Sequence, residues 1–134
     1  MKFYIASSFS NMNKVRELSS RLKEIGYEQT YDWTQNNRAS SLEALQKIGL
    51  LEKKAVIEAD FLIVLTPAGK GSHIELGMAI GAEIPVYLYS EDGRINNFHE
   101  TSTFYHLPEV NQVIGDFEKI IDKVQVDFPH KIKN

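Results

Sequence analysis

The sequence predicts an α/β three-layer sandwich built on a parallel sheet of about five strands. Two observations carry that expectation. Short apolar runs alternate along the chain with stretches whose apolar residues recur every three or four positions, the pattern of repeated βαβ units. One run, Phe61-Leu-Ile-Val-Leu65, is apolar throughout, as a central parallel strand covered on both faces must be. A sheet of this kind, with helices on both faces, is Rossmann-like or flavodoxin-like.

In chain order, Phe3-Tyr-Ile-Ala6 is a continuous apolar run ended by Ser7-Ser8 and is expected to be a buried strand. Val15, Leu18, Leu22 and Ile25 follow at helical spacing, with Gly26 as the stop. Tyr27 to Trp33 is expected to be a second strand, and Gln35 to Ser41 a polar loop. Leu42, Leu45, Ile48, Leu51, Ala55, Val56 and Ala59 track one face of a second helix capped by Ser41. After Phe61–Leu65 and its Gly-rich loop, a short helix is expected from about Ile74 to Ala82, then a strand Val86-Tyr-Leu-Tyr89. Asn96 to Thr103 is polar and loop-like. Phe104-Tyr105 or Val110 to Val113 supplies a fifth strand, and Phe117, Ile120, Ile121 and Val124 a last helix. The tail from Pro129 to Asn134 is expected to fray. With no repeat and no linker, residues 1–134 are expected to be one domain.

The 134 residues are 43% hydrophobic and 25% charged, a balance that supports a core. The net charge of −3 argues against a sequence-independent binder of polymeric nucleic acid, which needs a basic face. There is no cysteine, so disulfides, thiolate nucleophiles and cysteine-based zinc sites are excluded. The first apolar run is too short for a signal-peptide core, and no run approaches the ~18 residues of a membrane span. A cytoplasmic protein without a membrane partner is expected.

Ligands of such sheets bind beyond the carboxyl ends of the strands, where strand order reverses. Ser7-Ser8, Asp32-Trp33 and the loop Thr66-Pro-Ala-Gly-Lys-Gly-Ser72 should converge there. Backbone N–H groups on a loop with little side-chain bulk can approach an anion or a sugar closely. Gly69-Lys70-Gly71-Ser72 lacks the spacing of a P-loop. His73-x-Glu75 has the His-x-Glu of zinc deaminases without their cysteines. Glu75 itself admits two readings. Ser72-x-x-Glu75 has the spacing of a capping box, in which Glu75 folds back on the helix start. Alternatively, Glu75 faces the cleft from the first helical turn, where the dipole keeps it ionised, as a nucleophile must be.

The segment from Ala59-Asp60 through Pro85, with Gly-Lys-Gly-Ser-His-Ile-Glu-Leu-Gly-Met-Ala-Ile-Gly at its heart, resembles the nucleoside 2-deoxyribosyltransferase family. So do Phe3-Tyr-Ile-Ala-Ser-Ser8 and Phe104-Tyr-His-Leu-Pro-Glu-Val110. The same superfamily includes hydrolases of deoxynucleoside 5′-monophosphates. The resemblance implies that Glu75 is the nucleophile attacking the sugar C1′ and that Tyr4 orients it. The family acid, eight residues before the Asp of an Ala-Asp pair, falls on Glu52, where the family usually has Asp. Ser8, with Ser7 beside it, and Gly71 match positions that hold a 5′-phosphate. A second phosphate serine is replaced by Gly69, so that contact is absent or comes from Ser72. Lys70 would attract an anion, whereas the transferases carry an extra acid in this loop. Asp32 and Trp33 would hydrogen-bond and stack a base, or else form a strand end with a packed Trp.

The implied reaction is cleavage or transfer at the N-glycosidic bond of a small nucleoside or nucleotide, with no metal and no cofactor. Relatives of this family are commonly oligomers whose neighbour completes the site, so a dimer or higher homo-oligomer is expected. The helix from Ile74 and the loop from Asn96 to Tyr105 are its candidate contacts. The alternative is a non-catalytic module that binds a nucleotide or a nucleotide-derived ligand.

Overall fold

The computed structural model describes residues 1–129; of the tail expected to fray, all but Pro129 lies outside them. Five strands form one parallel sheet: β1 (Lys2–Ser7), β2 (Glu28–Gln29), β3 (Phe61–Leu65), β4 (Val86–Ser90) and β5 (Val110–Ile114). Their order is β2-β1-β3-β4-β5. The helices are α1 (Met12–Ile25), α2 (Leu42–Glu58), α3 (Lys70–Gly81) and α4 (Phe117–Asp127). The result is the three-layer, flavodoxin-like α/β sandwich that the alternation predicts.

The chain steps from β1 to β2 in one direction, then from β2 past β1 to β3 and β4 in the other. Right-handed crossovers therefore put α1 on one face and α2 and α3 on the opposite one. Helices α2 and α3 pack on each other and on β1; Arg21 of α1 pairs with Glu118 of α4. The direction reverses between β1 and β3, so their carboxyl ends flank a natural crevice.

Alternation along β1 sorts side chains between the two faces. Phe3 stacks on Phe61 at 6.2 Å, and Phe61 stacks on Phe128 at 4.8 Å after the end of α4. Tyr4, the next residue, points to the other face, toward α2 and α3, and is fully buried. Gly26 stops α1 as expected. Its φ of 121° is open to glycine alone, and its N–H caps the carbonyls of Leu22 and Lys23. Ser41 caps α2, its hydroxyl accepting from the Ala44 N–H at 3.0 Å.

Three expectations are corrected and one open alternative is resolved. The second strand spans only Glu28–Gln29 rather than Tyr27 to Trp33. Beyond Thr30, β1 finds a side-chain donor in place of a strand: the Trp33 indole N–H donates to the Ile5 carbonyl at 2.7 Å. The fifth strand is Val110–Ile114, while Phe104-Tyr105 lies in a 3-10 turn, Thr103–His106. The third helix begins at Lys70, four residues before Ile74, because Ser72 acts on the turn before it rather than the turn after. Finally, the apolar stripe of α2 is buried only at its end. Ala55 and Val56 are covered, whereas Leu42, Leu45 and Leu51 are 84%, 55% and 48% exposed. The first half of α2 carries its apolar side chains into the open, and Ile74 of α3 is exposed as well.

Candidate active site

Three acid–base side chains from three elements meet on the α2–α3 face. The Tyr4 hydroxyl, from β1, donates to Glu75 Oε2 on α3 and lies 3.4 Å from Glu52 Oε2 on α2. Glu75 is 7% exposed, and Glu52 is half-buried. Each is placed by the local fold. Tyr4 follows Phe3 on a strand, so it must face the opposite helices. Glu75 sits on the inward face of α3 with Leu76 and Ala79, and Glu52 stands one turn before the buried Ala55–Val56 pair of α2.

Burial dominates the protonation of this group. Removing a carboxylate from water favours its neutral form. Burial pushes Glu75 up to about 8; the Tyr4 hydrogen bond pulls against this, and the neighbouring Glu52 adds to it. Burial also raises Glu52, against hydrogen bonds from Tyr4 and Glu75. Burial first, then the two carboxyls, raise the Tyr4 phenol beyond any physiological range. At neutral pH Tyr4 is therefore always a donor, and the two carboxyls hold at least one proton between them.

This corrects the expected dipole effect. Glu75 is the sixth residue of α3, beyond the first turn in which the dipole acts. It does not fold back on the helix start either. That place is taken by Ser72, whose hydroxyl accepts from the Gly69 N–H at 2.6 Å and donates to the Gly69 carbonyl at 3.1 Å. Ser72 is 2% exposed and its hydrogen bonds are used in capping, so it does not face a ligand.

The other expected residues divide. Ser7, Ser8, Gly69 and Gly71 do come together at the carboxyl ends of β1 and β3. Ser7 donates to the Leu65 carbonyl at 2.6 Å. Ser8 Oγ pairs with Ser10 Oγ at 2.8 Å on the surface. A Cβ at Gly69 would stand 3.4 Å from the Ser8 Cβ, so the two loops touch there, whereas one at Gly71 would meet open space. Asp32 and Trp33 are used by the fold. Asp32 accepts from the Thr34 N–H at 3.1 Å and from Gln35 Nε2 at 3.3 Å. Trp33 is 8% exposed with its N–H on Ile5. The structure thus gives this pair the packed-turn role, and no face of Trp33 stands free for a base.

Two residues escape a reading of the sequence. Asn11 Nδ2 donates to Ser7 Oγ and to the Pro67 carbonyl, both at 3.0 Å, and joins the first loop to the Gly-rich loop. Nothing in Ser10-Asn11-Met12 signals that contact across 56 positions. Tyr105 meets His73 at 2.7 Å. The segment Phe104-Tyr105 is visible in the sequence, but its partner is not.

A cavity of about 380 Å³ opens on the far side of the Gly-rich loop, lined by Thr66, Pro67, Ala68, His73, Arg94 and Tyr105. Another, of about 400 Å³, lies between α1 and α4, with Lys14, Thr66, Tyr89 and Asp116 on its wall. Neither is lined by Tyr4, Glu52 or Glu75, which sit instead on the shelf between α2 and α3. Among the described residues, no group of three or more His, Asp or Glu side chains is arranged to hold a metal ion, and no helix is long and apolar enough to cross a membrane.

No family model matches the sequence, and no curated protein matches it significantly. Solved structures do match the fold. A 2-deoxyribosyltransferase from Bacillus psychrosaccharolyticus superposes with a TM-score of 0.69 at 17% identity, covering 100% of both chains. A conserved protein from Enterococcus faecalis V583 gives 0.70 at 16% identity, over 96% of this chain and 99% of that one. The CMP N-glycosidase BcmB of Clostridium botulinum gives 0.60 at 19% identity, over 93% and 99%. The chain shares its fold, over nearly its whole length, with a transferase and a glycosidase whose names both refer to nucleoside chemistry.

Proposed function

We propose that this protein cleaves or transfers at the N-glycosidic bond of a small nucleoside or nucleotide, with Glu75 as nucleophile. The observation that carries the proposal is the contact of the buried Tyr4 hydroxyl with both Glu75 and the half-buried Glu52 between α2 and α3. A structural role does not call for it, since burying two carboxyls beside each other costs stability. The fold shared with a 2-deoxyribosyltransferase and a CMP N-glycosidase points the same way.

In the reaction, Glu75 Oε1 or Oε2 forms a bond to C1′ as the C1′–N bond breaks, and the proton of Glu52 passes to the departing base. Water or a second base then attacks C1′, releases Glu75 and returns a proton to Glu52. The logic is that of retaining glycosidases, where one carboxyl attacks and the other delivers a proton. Attack needs Glu75 ionised and Glu52 protonated. Positive charge developing at C1′ favours that distribution, and the nearness of the two carboxyls, both against the Tyr4 hydroxyl, lets their shared proton settle on Glu52. Tyr4, held neutral, donates to Glu75 throughout and fixes its rotamer. No step calls for a metal or cofactor. Lys70, Ser8 and the open space at Gly71 suit an anionic 5′ end.

A second copy of the chain completes the shelf in this proposal. Leu51 and Ile74, exposed chain neighbours of Glu52 and Glu75, together with the exposed Leu42, Leu45 and Phe104, offer apolar surface that a neighbour would cover. Sedimentation of a monomer at micromolar concentration would count against it.

The deciding experiment incubates the protein with mixed nucleosides, deoxynucleosides and their 5′-monophosphates, with and without a free acceptor base, and follows base release by chromatography. Release without acceptor identifies a hydrolase, and exchange only with acceptor a transferase. No turnover, or equal turnover by Glu75→Ala, overturns the proposal; the first outcome combined with nucleotide binding would leave a ligand-binding module.

A further inference from the structure

We propose that His73 is a positioning residue which, clamped by Tyr105, holds the Gly69 peptide and the first turn of α3 in a ligand-ready geometry. The inference rests on the reaction proposed above. His73 Nδ1 lies 2.7 Å from the Gly69 carbonyl and Nε2 lies 2.7 Å from the Tyr105 hydroxyl. A carbonyl only accepts, so Nδ1 carries the proton; in the neutral ring Nε2 then accepts, and Tyr105 donates. The rings also stack, 5.8 Å apart and 10° from parallel.

Both ends of this clamp are anchored. The Gly69 carbonyl accepts from three donors, namely Ser72 Oγ at 3.1 Å, the His73 N–H at 3.0 Å and the His73 ring. Gly69 N–H is bound to Ser72 Oγ. Tyr105 is buried, and its carbonyl accepts from Gln112 Nε2 of β5 at 3.1 Å. The sheet edge at β5 thus reaches, through one tyrosine and one histidine, the turn whose N–H groups have no partner inside their helix. Glu75, two residues on, is held separately by Tyr4. Loosening the clamp should disturb the ligand-binding turn and spare the nucleophile.

The test compares wild type with Tyr105→Phe, His73→Asn and His73→Ala. Tyr105→Phe keeps the stack and removes one hydroxyl, so it folds if any variant does. Hydrogen exchange is followed on peptides covering residues 66–76. Tyr105→Phe and His73→Ala should exchange about tenfold faster at the hydrogen-bonded Gly69 and His73 amides; His73→Asn, which keeps a donor for Gly69, should fall between. In base release, KM should rise about tenfold while kcat changes less than about threefold, the signature of lost ground-state binding. Wild-type exchange in Tyr105→Phe, or a fall in kcat at constant KM, overturns the clamp. Should wild type release no base, the reaction proposal falls, and the exchange result alone decides for or against the clamp.

Discussion

Tyr4 and Glu75 stand 71 positions apart in the sequence and share a buried hydrogen bond from the phenol to the carboxylate. Tyr4 is fixed in the core of the sheet, so its hydroxyl is a rigid donor that sets the direction of the Glu75 carboxyl and partly offsets the upward push of burial. Removing that one oxygen is the most direct probe of the site. Tyr4→Phe should fold, since the ring and its packing remain. Its kcat should fall by about 10–10² with a smaller change in KM, because an interaction that matters most in the transition state is lost. Unchanged steady-state kinetics would remove Tyr4 from the reaction.

In the proposed reaction Glu52 delivers the proton to the leaving base. Glu52→Gln should lower kcat by about 10²–10⁴, the usual contribution of general acid catalysis. The loss should shrink for substrates whose base departs without protonation. Equal losses for good and poor leaving groups, measured side by side, would assign Glu52 a role other than the acid.

The raised Glu75 sets the direction of a stability change with pH. In the unfolded chain the carboxyl titrates near its ordinary 4.5, and in the folded chain near 8. Between those values the folded state keeps a proton that the unfolded state releases, so this group's contribution falls as pH rises from about 5 to 8. Glu75→Gln cannot ionise and escapes the loss. Thermal melts should show Glu75→Gln gaining on wild type by roughly 1–3 kcal/mol between pH 5 and pH 8. A gap that stays constant, or that closes as pH rises, would contradict the buried, raised carboxyl.

Trp33 is built into the fold. Trp33→Phe leaves the Ile5 carbonyl without its donor and opens space beside Phe9, whose ring lies 6.3 Å away. The expected cost is about 1–3 kcal/mol in denaturant melts, with KM for nucleosides unchanged. A large rise in KM without loss of stability would return Trp33 to the ligand.

What the sequence determines here is set by periodicity. The apolar run Phe61–Leu65 and the helical spacing of Val15, Leu18 and Leu22 fix strand and helix, because the strand is buried along its whole length and the helix along that stripe. The handedness of crossovers then places Ser7-Ser8 and the Gly-rich loop at one edge. The resemblance to the nucleoside 2-deoxyribosyltransferases singles out Tyr4, Glu52 and Glu75, and the same three side chains meet in space. Local hydrogen bonding is less legible. Ser72-x-x-Glu75 has capping-box spacing, but the helix starts earlier, at Lys70, and Ser72 returns to Gly69 instead. Asp32 and Trp33 look equally fit for a ligand or a turn, and only the position of the Ile5 carbonyl decides between them.

Tertiary structure alone decides the charge state of the site and its wiring. No spacing reveals that Glu75 is buried beside Glu52, and it is burial that raises both carboxyls. Nor does spacing join His73 to Tyr105 across 32 positions or Asn11 to Pro67 across 56. Periodicity reports which way a residue faces along its own element. Protonation and hydrogen bonding depend on what another element brings to meet it, and that is settled only when the sheet closes and the helices dock.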